Sequence, residues 1–173
     1  MIPSRRFGCQ ALTIMTLCVC GIGVSQAAEP ALLGEFEGWA AYTYQAADTK
    51  VCYISARPKA SEPKVKRDPA FFLVSNMPGR KVKGEVSTII GYPFKKESKV
   101  ILAVDDTKFD LYTNGDGAWA DTSDTEKKIV AAMKSGKSLK VTGTSWKGTR
   151  TVDTYGLEGV SSALAKIDEA CRK

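Results

Sequence analysis

The chain has 173 residues, which is long enough for one ordinary domain with a stabilising hydrophobic core. Its residues are 43% hydrophobic and 25% charged, a balance that excludes global disorder, and the formal net charge is +6. There is no histidine, so the chain lacks the usual general base of hydrolytic triads and the commonest metal ligand. The composition therefore indicates a folded domain with few groups suited to catalysis.

The first 27 residues have the three parts of a bacterial export signal. A positive start at Arg5-Arg6 precedes the uncharged, mostly apolar stretch Ala11–Val24. That stretch is shorter than the roughly 20 residues that a membrane-spanning helix needs. Ser25-Gln26-Ala27 then provides small residues at the −3 and −1 positions of a signal peptidase site. We expect cleavage after Ala27, or alternatively after Ala28.

Cleavage would leave a single mature domain over residues 28–173 with no transmembrane span and a lower net charge of +4, because Arg5-Arg6 is lost. Two alternatives stay open. The segment could remain attached as an uncleaved anchor, or the chain could be lipidated at Cys20. The bulky Val19 disfavours lipidation, since a small residue normally stands before a lipidated cysteine.

Two of the five cysteines, Cys52 and Cys171, lie in the predicted mature chain. An even number of cysteines in an exported protein indicates a disulfide, because the destination compartment is oxidising. The alternative is two separate buried thiols. A zinc site is disfavoured, since two cysteines without histidine leave the metal short of ligands.

Most of the mature chain has the composition and spacing of β-strands. Segments rich in β-branched and aromatic residues are separated by Gly, Pro, Asn and Asp. Tight hairpin turns are predicted at Asp105-Asp106 and Lys147-Gly148. Many short strands with closely spaced turns predict a mainly β protein, and specifically a β-sandwich. The predicted strands are Glu37–Tyr44, Lys50–Ala56, Ala70–Asn76, Glu85–Tyr92, Lys99–Val104, Lys108–Thr113, Ser138–Trp146 and Thr149–Leu157.

Two short segments have helical spacing instead. The first opens on a capping box, Ser123-Asp124-Thr125-Glu126, and is expected to end at Gly136. The second is C-terminal, and its apolar residues fall on one face. Those residues are Val160, Leu164, Ile167 and Cys171. The C-terminal helix is therefore predicted to dock on the sheet, where a disulfide to Cys52 would hold it.

Basic and aromatic residues form a possible binding surface for an anionic partner. The segment Arg57–Pro69 holds three prolines and five basic residues and is predicted to be an extended polar loop without a strand. At Tyr92-Pro93-Phe94, a strand running into proline is expected to expose a ring beside two lysines. The alternative is a scattered solvated surface. Trp39, Trp119 and Trp146 are interpreted as core residues. The possible partner-binding residues are Tyr92, Phe94, Lys95, Lys96, Lys64, Lys66 and Arg67.

No motif indicates catalysis, a metal or a cofactor. G-x-S-x-G and phosphate-loop sequences are absent, and the EF-hand-like Asn114-Gly115-Asp116-Gly117 lacks the ligands needed at both ends of a calcium loop. We therefore expect a non-enzymatic protein. Two alternatives are a carboxylate-dependent hydrolase of glycan or cell wall and a carrier of a small ligand. Nucleic acid is disfavoured as a partner, because no binding motif is present.

Between Phe36 and Cys171, the chain resembles the invasion-associated locus B family of exported bacterial proteins. The combination of segments carries the resemblance, since no single segment is specific. The segments are Gly38-Trp39, Val51-Cys52-Tyr53, Phe71–Asn76, Ile90–Lys96, Asn114–Trp119 and Asp168–Cys171.

The resemblance implies an immunoglobulin-like β-sandwich located in the periplasm or at the outer envelope surface of a gram-negative bacterium. Most members have no known enzymatic activity, and the family's namesake is linked to entry of a pathogen into host red cells. The partner implied is an envelope or host macromolecule. The resemblance supplies no catalytic residues.

Overall fold

The computed structural model describes residues 29–172, so the predicted export signal and its cleavage site lie outside the described residues. Eleven strands, two α-helices and a short 3₁₀ turn follow one another along the chain. They are β1 (Ala31–Phe36), β2 (Trp39–Gln45), β3 (Lys50–Ala56), β4 (Ala60–Glu62), β5 (Phe71–Met77), the 3₁₀ turn (Pro78–Arg80), β6 (Val82–Ile89), β7 (Lys99–Val104), β8 (Thr107–Asn114), β9 (Gly117–Trp119), α1 (Ser123–Ser135), β10 (Ser138–Thr144), β11 (Arg150–Gly156) and α2 (Val160–Ala170).

All eleven strands belong to one antiparallel sheet in the order β1-β2-β3-β5-β6-β9-β8-β7-β10-β11-β4. The sheet curls so that strands distant in this order face each other. The indole nitrogen of Trp39 on β2 donates to the carbonyl of Gly156 on β11 at 3.0 Å. The rings of Phe72 on β5 and Tyr155 on β11 lie 5.9 Å apart. The two halves therefore enclose one core, and the predicted mainly β, sandwich-like fold is confirmed.

Strand sequences alternate as half-buried strands require. In β7, Val100, Leu102 and Val104 are buried while Ile101 is exposed, as predicted. The turn Asp105-Asp106 joins β7 to β8, which confirms the predicted hairpin. Lys147-Gly148 likewise lies between β10 and β11.

Three strands, β1, β4 and β9, were not predicted from the sequence. The predicted strand from Glu37 begins too early, because Glu37 and Gly38 adopt positive φ angles (48° and 94°) and form the turn between β1 and β2. Strand β9 has three residues, too few for a recognisable alternation. It pairs with both β6 and β8. A side chain at Gly117 would collide with the Trp119 ring in its present position, so glycine allows the ring to pack over the start of β9.

Helix α1 begins and ends close to the predicted positions, but its cap lies one residue earlier than predicted. The side chain of Thr122, not Ser123, accepts a hydrogen bond from the Thr125 amide at 3.2 Å. The helix buries Ile129 and Met133 and ends at Gly136.

Helix α2 packs across β1, β2, β3 and β5 through one apolar face, as predicted. Its buried residues are Val160, Ala163, Leu164 and Ile167. A disulfide joins Cys171, directly after the helix, to the fully buried Cys52 on β3, with a Cα–Cα distance of 6.0 Å. The predicted disulfide is confirmed, and it fixes the C-terminal end of the helix to the sheet.

The loop 57–69 is anchored to the sheet instead of forming the predicted polar excursion. It contains strand β4, which pairs with β11. The Arg67 and Asp153 side chains are only 8% and 1% exposed, and they form an ion pair. Arg67 Nη1 donates to an Asp153 carboxylate oxygen and to the Ile90 carbonyl, both at 2.8 Å. Ser61 Oγ donates to the same carboxylate at 2.6 Å. Arg67 is thus committed to an internal ion pair and is not the exposed loop cation that its sequence context indicated.

Replacing both cysteines, in C52A/C171A, is expected to lower the free energy of unfolding by about 2–5 kcal/mol, because the disulfide closes a long loop in the unfolded chain. Urea unfolding followed by circular dichroism measures this change. Wild-type protein with a reductant is the matched control and should unfold at the same urea concentration as the variant. An unchanged unfolding midpoint would show that the disulfide does not stabilise the fold.

Replacing Asp153 alone, in D153N, is expected to cost about 3–5 kcal/mol of stability, because it leaves the buried Arg67 charge without its counter-ion. The double variant R67M/D153L should lose less stability, since it removes both charges. Urea unfolding of the three proteins tests this order. A double variant less stable than D153N would contradict the explanation.

Candidate partner-binding surface

The segment Tyr92–Lys96 lies beside the tip of the β10–β11 hairpin. The Lys95 amide donates to the Thr144 carbonyl, and the Trp146 amide donates to the Pro93 carbonyl, each at 2.9 Å. These backbone bonds attach the segment to the hairpin. They therefore fix which side chains of the segment can face solvent.

The two aromatic residues of this segment differ from the predicted exposed ring. Phe94 is only 6% exposed, because it forms a β-bridge with Ser145 and belongs to the hydrophobic core. Tyr92 is half-buried, and its hydroxyl shares a hydrogen bond with Thr151. Burial raises the pKa of the Tyr92 hydroxyl above its ordinary value, so the tyrosine stays neutral at physiological pH. Phe94 is therefore not the exposed ring that was expected in this segment, whereas Tyr92 presents part of its ring.

The predicted lysines are all on the surface. Lys64, Lys66, Lys95 and Lys96 are exposed. None of these four forms an ion pair with any residue of 29–172. Their charges are thus available to an anionic group.

A groove of about 260 Å³ connects the loop 57–69 with the hairpin tip. The loop contributes Val65 and Lys66, which line the groove together with Tyr92 and Trp146. The two segments that the sequence singled out therefore meet at one place. We call this region the Trp146 surface. It comprises the groove residues Val65, Lys66, Tyr92, Ser145, Trp146, Lys147, Thr149 and Thr151 and the neighbouring exposed lysines Lys64, Lys95 and Lys96.

Trp146 is the most exposed large hydrophobic residue identified in residues 29–172, at 62%. Its interpretation as a core residue is wrong, because β10 ends at Thr144 and Ser145 takes the next buried position. The tryptophan is thereby placed on the outside of the turn, where the Lys147 ammonium lies 5.0 Å from its ring centroid. The turn signal Lys147-Gly148 could have placed Trp146 at the hairpin tip.

The electrostatic character of this surface is positive. Lys147 and Arg150 extend the row of cations formed by the four predicted lysines. The loop 57–69, the segment 92–97 and the hairpin tip 145–150 contain three carboxylates, which are fewer than their cations. They are Glu62, Asp68 and Glu97. An exposed aromatic ring and an apolar side chain, Val65, surrounded by cations can bind an acidic macromolecule that also offers an apolar contact.

Glycan hydrolysis requires two carboxyl groups that face one cleft roughly 5–10 Å apart, and none of the four clefts identified among residues 29–172 is lined by two carboxylates. Of the four main clefts in the described part of the chain, two are lined by the single carboxylate Asp168 and two by none. Asp153 is buried but is paired with Arg67. Among residues 29–172, no cluster of three or more His, Cys, Asp and Glu could hold a metal ion.

Neither helix in residues 29–172 combines the length and the apolar character that crossing a bilayer requires.

Comparison with known proteins identifies the family. No curated protein is significantly similar to the chain in sequence. The crystal structure of invasion associated protein B from Bartonella henselae has a similar fold, with a TM-score of 0.56 and 16% sequence identity over 84% of this chain and 100% of that one. The family described as invasion associated locus B (IalB) protein matches residues 39–168, which is most of the chain. The chain therefore belongs to the invasion associated locus B family, as its sequence resemblance indicated.

Proposed function

We propose that this protein is a non-enzymatic, exported envelope protein that binds a macromolecular partner through the Trp146 surface and thereby contributes to interaction with a host cell. The observation that carries the proposal is the exposure of Trp146 in a groove bordered by lysines without ion pairs. Family membership supports the role, since a relative of similar fold is named as invasion associated.

The energetics of binding favour this surface. Tryptophan is among the residues most enriched at binding hot spots, because its large ring loses much apolar contact with water when a partner covers it. Trp146 leaves most of its surface exposed, whereas Trp39 is 99% buried. The groove beside it, which Val65 also lines, offers a concave site for an apolar side chain of the partner.

The charges around the groove indicate an acidic partner. Exposed lysines at the rim of an interface accelerate association with an anionic surface more than they raise affinity. Lys95 and Lys96 on one side and Lys64 and Lys66 on the other would place cations on both edges of the bound partner. We infer that the partner carries carboxylates or other anions around an apolar centre.

An envelope location agrees with two independent features. The expected export signal at residues 1–27 directs the chain across the inner membrane. The disulfide between Cys52 and Cys171 belongs to proteins that function in an oxidising compartment. We propose the periplasm or the outer envelope surface of a gram-negative bacterium as its location.

Substitution of the exposed ring, in W146A, is expected to weaken partner binding by at least about tenfold, the loss typical of a hot-spot residue. Binding of fluorescently labelled mature protein to isolated envelopes and to host red cells measures this change. The matched control is Y112A, which removes another exposed ring (53%) on β8. Equal binding by W146A and the wild type would eliminate the Trp146 surface.

Charge reversal, in K95E/K96E, should also weaken binding, mainly through slower association. K108E/K140E is the control, because it reverses two exposed lysines that flank Ala103 on the neighbouring strands β8 and β10. Crosslinking in the native cell, followed by identification of the captured molecule, then names the partner. If both double variants bind equally weakly, the lysines act through overall charge and not through this surface.

A further inference from the structure

Two adjoining clefts lie where the end of β5, the start of β6 and the two helices meet, away from the elements that build the Trp146 surface. Their volumes are about 440 Å³ and 310 Å³. Both are lined by Asn76, Lys83 and Asp168, so they form two lobes of one depression. We call it the cationic cleft.

The charged lining of the cleft is strongly asymmetric. Lys81, Lys83 and Arg172 line the first lobe. Lys83, Lys127 and Lys134 line the second. Asp168 lines both lobes and is the single carboxylate among the lining residues. Five cations thus surround a single anion.

Existing ion pairs neutralise little of this charge. Lys83 lies 3.6 Å from Asp168, and Lys127 lies 3.0 Å from Asp124. Lys81, Lys134 and Arg172 form no ion pair within the described part of the chain. Each lobe therefore keeps at least one cation without a counter-ion.

The floor of the cleft is rigid. Asn76 is 5% exposed, and its side chain donates to Asp168 at 2.9 Å and accepts from the Gly84 amide at 2.9 Å. Cys171 lines the first lobe, and its disulfide to Cys52 fixes that wall to the sheet. Because the floor and this wall are fixed, binding in the cleft would not carry the cost of ordering them.

The backbone at Lys81 adopts an unusual conformation. Its φ angle is +58°, in the left-handed region where a lysine is less favourable than a glycine. Its amide closes the 3₁₀ turn by donating to the Pro78 carbonyl at 3.0 Å. The turn places a charged side chain at the mouth of the first lobe at a position where glycine would suit the backbone better.

We propose that the cationic cleft binds an anion carrying two or more phosphate groups. Lysine binds phosphate as a point charge, and the arginine fork can bind two phosphate oxygens at once. Each lobe would hold one phosphate, and Lys83, which both lobes share, would contact both. Val130 and Leu164 line the second lobe beside its lysines and provide apolar contacts for an adjoining part of the ligand.

Two kinds of ligand carry such phosphate groups, namely a soluble polyphosphate and the headgroup of a lipid with two phosphates. This site is independent of the Trp146 surface, since the two share no residue. W146A should therefore leave phosphate binding intact.

The test uses two probes with the mature, oxidised protein. Inorganic tripolyphosphate is titrated by calorimetry, and vesicles of phosphatidylcholine with or without cardiolipin are used in flotation. Binding of tripolyphosphate supports a site that recognises phosphate groups alone. Binding only of cardiolipin vesicles supports a lipid source. Binding of neither probe overturns the proposal.

Three variants locate the site. K83E/K134E should weaken binding by at least about tenfold, because charge reversal replaces attraction with repulsion in both lobes. K81G should weaken it by up to about fivefold while keeping the fold intact, since glycine adopts this φ angle without strain. K108E/K140E is the matched control, because it also reverses two exposed lysines and neither of them lines the cleft. An equal loss in K108E/K140E and K83E/K134E would show diffuse attraction to a basic protein and would overturn the proposal.

Discussion

Closure of the sheet by three aromatic residues is the constraint on which the other features depend. Trp39, Phe72 and Tyr155 are each at most 1% exposed, and they join β2, β5 and β11 from distant positions in the strand order. Each ring buries on the order of 150–250 Å². The Trp39 hydrogen bond to Gly156 sets the orientation of this contact. Without closure, β11 and the loop 57–69 that it holds would not lie against the half of the sheet that carries α2.

Two long-range connections then hold less regular segments against the closed sheet. The Arg67–Asp153 ion pair holds the loop 57–69 against β11, and the Cys52–Cys171 disulfide holds the end of α2 against β3. Each connection lies next to a proposed binding region, since Lys66 lines the groove and Cys171 lines the cleft. Binding residues on loops and helix ends gain precision when a rigid scaffold positions them. The ion pair and the disulfide would therefore affect binding at the two proposed regions through the geometry they impose.

The sequence predicted those features that depend on local patterns. The alternation in β7, the hairpin turn after it and the apolar face of α2 are short-range signals, and the structure reproduces them. The cysteine count was sufficient to predict the disulfide because the expected compartment is oxidising. Strand β4 was missed because its three residues are too few for an alternating pattern and because its partner, β11, is distant in sequence.

Residues at the candidate surface were less predictable, because burial there depends on contacts between distant segments. Arg67 looks like an exposed loop cation, but a carboxylate 86 residues later removes it from the surface. Phe94 follows a proline and precedes two lysines, but its bridge to Ser145 draws it into the core. Trp146 differs in the opposite direction. It was interpreted as a core residue, but the hairpin turn places its side chain on the surface. Among the predicted binding residues, only Lys64, Lys66, Lys95 and Lys96 are exposed as their charge predicts.

The distribution of charge explains how one small domain could bind two chemically different partners. At the Trp146 surface, the cations border an exposed ring, so apolar contact would supply affinity and charge would mainly guide the approach. In the cationic cleft, the cations line the depression itself and would contact the ligand directly. Screening by salt acts on exposed charges far more than on apolar contact. The two surfaces therefore differ in physical origin as well as in position, and occupation of one does not require the other to be empty.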